Sequence, residues 1–521
     1  MSVVPGNVET DQQPPMTVPL RHFLLALGFL VAGGLLGLAT AAGGTVVGPP
    51  PGWSSLAHVH LLLAGWVCVT IMGAMTQFVP VWSGVQLYSR ALATRQLQLV
   101  TVGLLGFATG LLTGRLALVP VFGAVMVAGF WVFAYNIART LRAVGPLRDL
   151  DVTERHFLLA LGFFVLLTLL GVVLAVDLVR PVLGGTPIDR PDLVRAHATL
   201  AVFGAILTTV LGALYQLATM FTQTELHGID APLKRIEEVG YPVGVLALAT
   251  GRLLGAGEPG SRVLGVGGGV LVIAGLLAMS VVLARRLLET RVPWTPMLSR
   301  YAVLAPALAL WGLVTLPSWL RDPLADGTTF GAPGTVHLLT LGVIGFVVLG
   351  TVYHIVPFIV WVHRYSDLLG FEDVPMIDDL YSDRLARVDF GCFLVGTVLL
   401  VAVDLLKSPV LLAAVEPAAP AGTILSFDGM VTIGAIAGGV AVLVGIAVFC
   451  GNVVFVLRTH SPYSVREILF GARPGDGTNR DHAGSGTDGD RVDAGTDRDH
   501  AGSGAEPNHA DSGTDVAPDR S

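Results

Sequence analysis

Long apolar runs separated by short polar stretches dominate the chain between residues 20 and 460. Each run holds roughly 20 residues, the length a helix needs to cross a hydrocarbon core. Hydropathy predicts about 12 such helices, centred near Val31, Val69, Leu105, Gly129, Leu167, Leu207, Leu246, Leu271, Leu308, Phe346, Gly396 and Gly439. The weakest are Ala117–Ile137, which follows a very short turn, and Tyr241–Gly255, which is short and interrupted by Arg252. The expected fold class is therefore all-α, a polytopic membrane bundle over residues 20–460. A polar segment, residues 1–19, precedes it and shows no basic region of the kind that opens a signal peptide. Residues 461–521 follow it; their Asp/Gly-rich repeat cannot bury a core and is expected to be disordered and cytoplasmic.

Polar positions recur inside the apolar pattern. The string RHFLLALGF at Arg21–Phe29 returns at Arg155–Phe163, and more faintly from Arg300-Tyr301. Each copy is followed, about 40 residues on, by a span with histidine near its start, which predicts three four-helix units in a pseudo-threefold repeat. Ser55–Trp82 carries His58, His60, Gly65, Gly73, Gln77 and Pro80. Val194–Phe221 carries His197, Gly204, Gly212, Tyr215 and Gln216, and Gly334–Trp361 carries His337, Gly342, Gly350, Tyr353, His354 and Pro357.

Composition supports the membrane reading. Hydrophobic residues make up 53% of the chain and charged residues 13%, more apolar surface than a soluble core needs. The net charge of −7 owes much to the acidic tail; the expected partner is the lipid bilayer, with no nucleic acid. Cys68, Cys392 and Cys450 sit far apart in apolar spans and read as packing residues. Arginine and lysine concentrate in alternate loops, which predicts a multi-pass cell-membrane protein with both termini in the cytoplasm. His60, His197 and His337 then lie toward the outer side.

A histidine within a membrane is costly unless it is paired, hydrated or ligated. For a single histidine an interhelical hydrogen bond is the simpler role, but three at matched depth point to ligation. Imidazole is a common haem ligand, and two on opposite faces give a six-coordinate, electron-transferring haem. His22 and His156, beside arginine at helix ends, are expected as interfacial anchors, as are Asp177, Asp389 and Asp404. His354, Gln77 and Gln216 share one depth and suggest a hydrogen-bonded layer. The stretch from Trp361 to Arg387 is long for a connector.

His58-Val-His60-Leu-Leu-Leu-Ala-Gly65-Trp66 and the run from Val336-His337 through Gly342 to Tyr353-His354-Ile-Val-Pro357 resemble the second and tenth helices of subunit I of haem–copper oxidases and nitric oxide reductases. The run from His58 to Pro80-Val-Trp82-Ser-Gly84 is also similar to NnrS-type haem- and copper-containing membrane proteins. The resemblance implies a twelve-helix bundle with a low-spin, bis-histidine haem b held by His337 with His60, or with His58 in its place. It implies a respiratory electron donor, a quinol or a cytochrome or cupredoxin, and a role in electron transfer or in handling O2 or NO. It also offers His197 as a copper or haem ligand. Thr335 stands where the oxidases carry the histidine of their high-spin haem, and Glu238–Ala256 lacks the histidine pair of their copper site. No catalytic residue is therefore assigned, and copper is set against this shortage of ligands. An active oxidase or nitric oxide reductase, and a haem-free transporter or scaffold, are the alternatives.

Overall fold

The computed structural model describes residues 13–43, 53–408 and 427–471. Among these residues eleven helices are long and apolar enough to cross a membrane. They are α1 (Thr17–Ala41), α2 (Ser54–Ser83), α3 (Arg90–Leu112), α4 (Leu118–Leu141), α5 (Val152–Asp177), α6 (Arg190–Thr222), α8 (Ser261–Leu288), α9 (Pro296–Arg321), α10 (Leu338–Arg364), α11 (Asp383–Leu406) and α12 (Phe427–His460). The remaining helical position, α7, covers residues 230–254 in three consecutive pieces, Asp230–Arg235, Ile236–Gly240 and Tyr241–Leu254. It carries Lys234, Arg235, Glu237, Glu238 and Arg252, so it is helical without being uniformly apolar. The described residues form an all-α bundle, as the hydropathy pattern predicts.

Local chemistry sets the helix ends. Asp151 and Glu154 form a reciprocal capping box at the start of α5, and Ser89, Thr295 and Ser382 each accept a first-turn N–H at α3, α9 and α11. Gly84 ends α2 in the left-handed conformation that glycine adopts freely.

The compact unit runs to Gly471, past the expected boundary at residue 460. Ser464 and Glu467 cap a short helix, α13 (Val465–Phe470), and Ile468 is fully buried. Arg21 Nε donates to the Ile468 carbonyl at 2.7 Å, so the start of α1 and the end of the unit share one face of the bundle. Residues 472–521, which hold the rest of the predicted tail, lie outside the described residues.

Helices α2, α6 and α10 are the most buried and converge on a central cavity of about 70 Å³, lined by Thr70, Phe78, Thr209, Leu214, Val347 and Ile355 among others. Each contains an eight-residue π-helical stretch: Leu61–Cys68, Leu200–Leu207 and Leu338–Gly345. π-turns are rare and gather at functional sites. They also fix the register between the three helices. His60, Thr199 and His337 directly precede the π-turns, so His197 corresponds to His58, two residues earlier, and not to His60.

The opposite ends of these helices are tied by buried polar contacts. A Cβ at Gly73 would meet His22 and one at Gly212 would meet His156, so glycine lets α1 and α5 lie against α2 and α6. His22 and His156 are thus fully enclosed and not interfacial as expected. His22 Nε2 contacts Gln96 Nε2 at 3.4 Å, whereas His156 Nε2 bonds Glu237 Oε1 at 3.0 Å, and Tyr215 donates to Glu237 Oε2 at 2.8 Å. On α9, Arg300 pairs with Asp389, which also accepts from Tyr353, and Asn452 donates to the Tyr353 oxygen at 3.0 Å. Asp389 is 1% exposed, which moves it from its expected interfacial position into the core.

The expected layer of His354, Gln77 and Gln216 is not joined by any hydrogen bond among the described residues. His354 packs edge-on against Phe221 at 4.1 Å and stacks on Phe358, while Gln77 donates to Gln13 at 3.1 Å. The long connection after α10 is ordered: Trp361 donates to the Pro375 carbonyl at 2.7 Å, and Tyr381 to Asp378 at 2.8 Å.

Candidate functional site

The four candidate histidines gather at the N-terminal ends of α2, α6 and α10. In each, Nδ1 faces an oxygen that can only accept. His58 donates to the Gly33 carbonyl at 2.8 Å and His60 to the Leu56 carbonyl at 2.9 Å. His197 donates to the Leu167 carbonyl at 2.9 Å and His337 to Asp404 Oδ2 at 2.8 Å. Since a carbonyl or carboxylate cannot donate, Nδ1 must carry the proton. Nε2 is then left with its lone pair, the form of imidazole that binds a metal. No partner for any of these four Nε2 atoms occurs among the described residues.

Two helices act as backstops for two of the rings. A Cβ on Gly37 of α1 would lie 2.5 Å from His58 Cε1, and one on Gly171 of α5 would lie 3.0 Å from His197 Cε1. Only a residue without a side chain lets these imidazoles lie so close to the neighbouring backbone. The shared bracing follows the register set by the π-turns, with α1 holding His58 as α5 holds His197.

His58 lies close enough to His337 for the charge of one to act on the other, and His60 stands in the same relation to His197. Of the two α2 histidines named from the sequence, His58 is the one that lies within electrostatic reach of His337. The cause is helical geometry: residues two apart point about 200° apart around the axis, so His58 and His60 cannot serve the same gap. Phe107 flanks His60, with ring centroids 4.8 Å apart.

His337 has the most elaborate support. Its backbone N–H also donates to Asp404 Oδ2, at 3.0 Å, so one carboxylate oxygen caps the helix start and orients the ring. Gly334 makes this approach possible. It has φ +86°, and a Cβ there would lie 2.9 Å from the Asp404 carbonyl oxygen. Sequence reading placed Asp404 at the interface and gave no sign of this contact, because 67 residues separate the partners.

The positions corresponding to histidine elsewhere are filled by threonines committed to structure. Thr335 is buried and donates to the Ala332 carbonyl at 2.7 Å. Thr199 donates to the Arg195 carbonyl at 2.6 Å and accepts from Arg252 Nη1 at 2.7 Å. Arg252, which interrupts the apolar pattern of α7, is fully buried. It donates to the carbonyls of Pro323, Thr328 and Thr329 at 3.0–3.1 Å and lies over the Trp319 ring. Beside this end a cavity of about 590 Å³ opens between Arg190, Arg195, Asp326, Phe330 and Pro333.

Among the described residues no three His, Cys, Asp or Glu side chains are grouped to hold one metal ion. The open Nε2 atoms are the groups that could ligate a metal or a haem iron. Comparison with protein-family models and with curated proteins finds no match to this chain.

Proposed function

We propose that this chain is a membrane haem protein of the haem–copper oxidase subunit I type, holding a low-spin haem b between His58 of α2 and His337 of α10. The observation that carries the proposal is that His58 and His337, on two of the three central helices, each have Nδ1 committed to an acceptor at 2.8 Å and Nε2 open. Bound there, the haem would supply reversible one-electron transfer. The protein's part is to fix both ring orientations, through Gly33 and Asp404, and to surround the centre with apolar helix. The donor would be a quinol or a small soluble redox protein, and the role electron transfer or diatomic-gas handling. O2 or NO reduction is outside the proposal, since Thr335 stands where the high-spin haem's histidine is expected and Glu238–Ala256 carries no histidine for a copper site. In this reading the positive-inside tendency of the arginine-rich loops puts the shared face of α1 and α13 in the cytoplasm and the histidine end outside.

The test is a reduced-minus-oxidised spectrum of the purified protein. A low-spin b-type signal is expected, and it should vanish in His58→Ala and in His337→Ala. A haem-supplemented preparation with no Soret band would overturn the reading.

A further inference from the structure

The cavity between α2, α6 and α10 has no part in the histidine site, and we infer that it is a resting site for a small apolar gas, a molecule of the size and chemistry of O2 or NO. Side-chain size at one level of the three helices creates the space. Gly73, Gly212 and Gly350 are packed against α1, α5 and α9, where a Cβ would meet His22, His156 and Arg300. Each glycine is followed by a small residue on the cavity wall: Ala74, Ala213 and Thr351. These three stay partly accessible while the residues on either side of them are buried.

Water has little to hold it there. Thr70 and Thr209 on the wall donate to the Trp66 and Ala205 carbonyls of their own helices, at 2.7 and 2.8 Å. Thr351 donates to the Val347 carbonyl at 2.6 Å, so its oxygen accepts from the Tyr301 hydroxyl at 2.8 Å. All three hydroxyl protons are thus spent. Apart from the Trp82 indole, the rest of the wall is hydrocarbon, aromatic ring and the Met75 thioether. A buried water needs about two to four polar partners, and cavities without them stay dry.

Size selects the occupant. The space, about 70 Å³, is well under the ~150 Å³ of an engineered apolar cavity that takes benzene or xenon. It suits one or two heavy atoms and not a ring. A wall that faces a void lacks dispersion partners, and an apolar gas supplies them without giving up hydrogen bonds. The surrounding hydrocarbon favours such molecules over water. Phe78, Trp82 and Phe157 close the end away from the histidines, with ring centroids 4.8 and 6.2 Å apart along that series. The inference extends the gas-handling side of the proposed function, yet it needs no haem, since none of the four histidines lines the cavity.

Xenon is the probe, titrated into the full-length protein in detergent and followed by xenon NMR. One saturable site per chain is expected. Ala74→Leu and Ala213→Leu place an isobutyl group in the space and should abolish it. Ala213→Val, a smaller change that guards against a failure to fold, should weaken xenon binding several-fold and raise the thermal midpoint, as filling a real void does. O2, and separately NO without oxygen, should displace xenon, which reads the two gases one at a time. Xenon binding should be the same in His337→Ala, so a failure of the haem reading leaves this site standing. No saturable xenon binding in the natural sequence would overturn the inference. So would binding that is undiminished in Ala213→Leu and Ala213→Val, or a xenon site that neither O2 nor NO enters.

Discussion

One oxygen of Asp404 receives two hydrogen bonds from His337, the ring Nδ1–H at 2.8 Å and the backbone N–H at 3.0 Å. The carboxylate orients the ring and pushes electron density onto Nε2, as carboxylate partners of metal-bound histidines do. Asp404→Asn keeps the volume and loses the charge. Haem affinity is expected to fall about 10–100-fold and the midpoint potential to rise, because the ferric state loses its negative partner. Potentiometric titration of the variant checks this; an unchanged potential would mean that Asp404 serves only as a helix cap.

Arg300 and Asp389 are both about 1% exposed, and Tyr353 and Asn452 complete their network. Asp389→Ala leaves a buried guanidinium without its counter-charge, a loss of about 3–5 kcal/mol. Replacing both partners with Met and Leu should recover most of it. Thermal unfolding in detergent reads the difference, and equal losses in the single and double variants would contradict the assignment.

Arg252 holds three loop carbonyls and Thr199 with one side chain. Arg252→Leu would strand those acceptors at about 1–3 kcal/mol for each that stays buried. The expected outcome is faster hydrogen exchange and protease cleavage around residues 322–330, with the His58–His337 spectrum intact.

At the opposite end Glu289 lies outside α8 and bonds His227 at 2.8 Å. That hydrogen bond, reinforced by the charges of Arg286, His227 and Arg285, holds its carboxyl below the ordinary 4.5. A depressed carboxylate stabilises the fold above its unfolded value, and the contribution disappears as pH falls through the lower folded value. Glu289→Gln should therefore lower stability at neutral pH and flatten the acid limb of the stability profile. Identical acid limbs would rule the pair out as a contributor.

The helices and the four histidines were legible from hydropathy and from the cost of burying imidazole, because both are local properties. Register was not. The pattern groups His197 with His60 and His337 at one depth, whereas the π-turns put it in register with His58. A two-residue displacement turns a side chain to the far side of its helix. Asp404 and Asp389 looked interfacial because a carboxylate near a helix end usually is, and their partners lie in other helices. Arg252 was visible only as a blemish in a weak span. Its meaning depends on a loop some seventy residues away, the Pro323 carbonyl being 71 positions along the chain.

The three central helices meet along three seams, and the seams are unequal. Two of them start from a histidine of α2; the third, between α6 and α10, carries Thr199, Thr335 and the Arg252 rivet that ties Thr199 to the loop ahead of His337. Chemistry on that third seam would require pulling the rivet, and with it the support of the loop that leads into α10. One wall of the core is thus tied to a loop, so a change at Arg252 is felt in α6 and α7 and in the lead-in to α10 together.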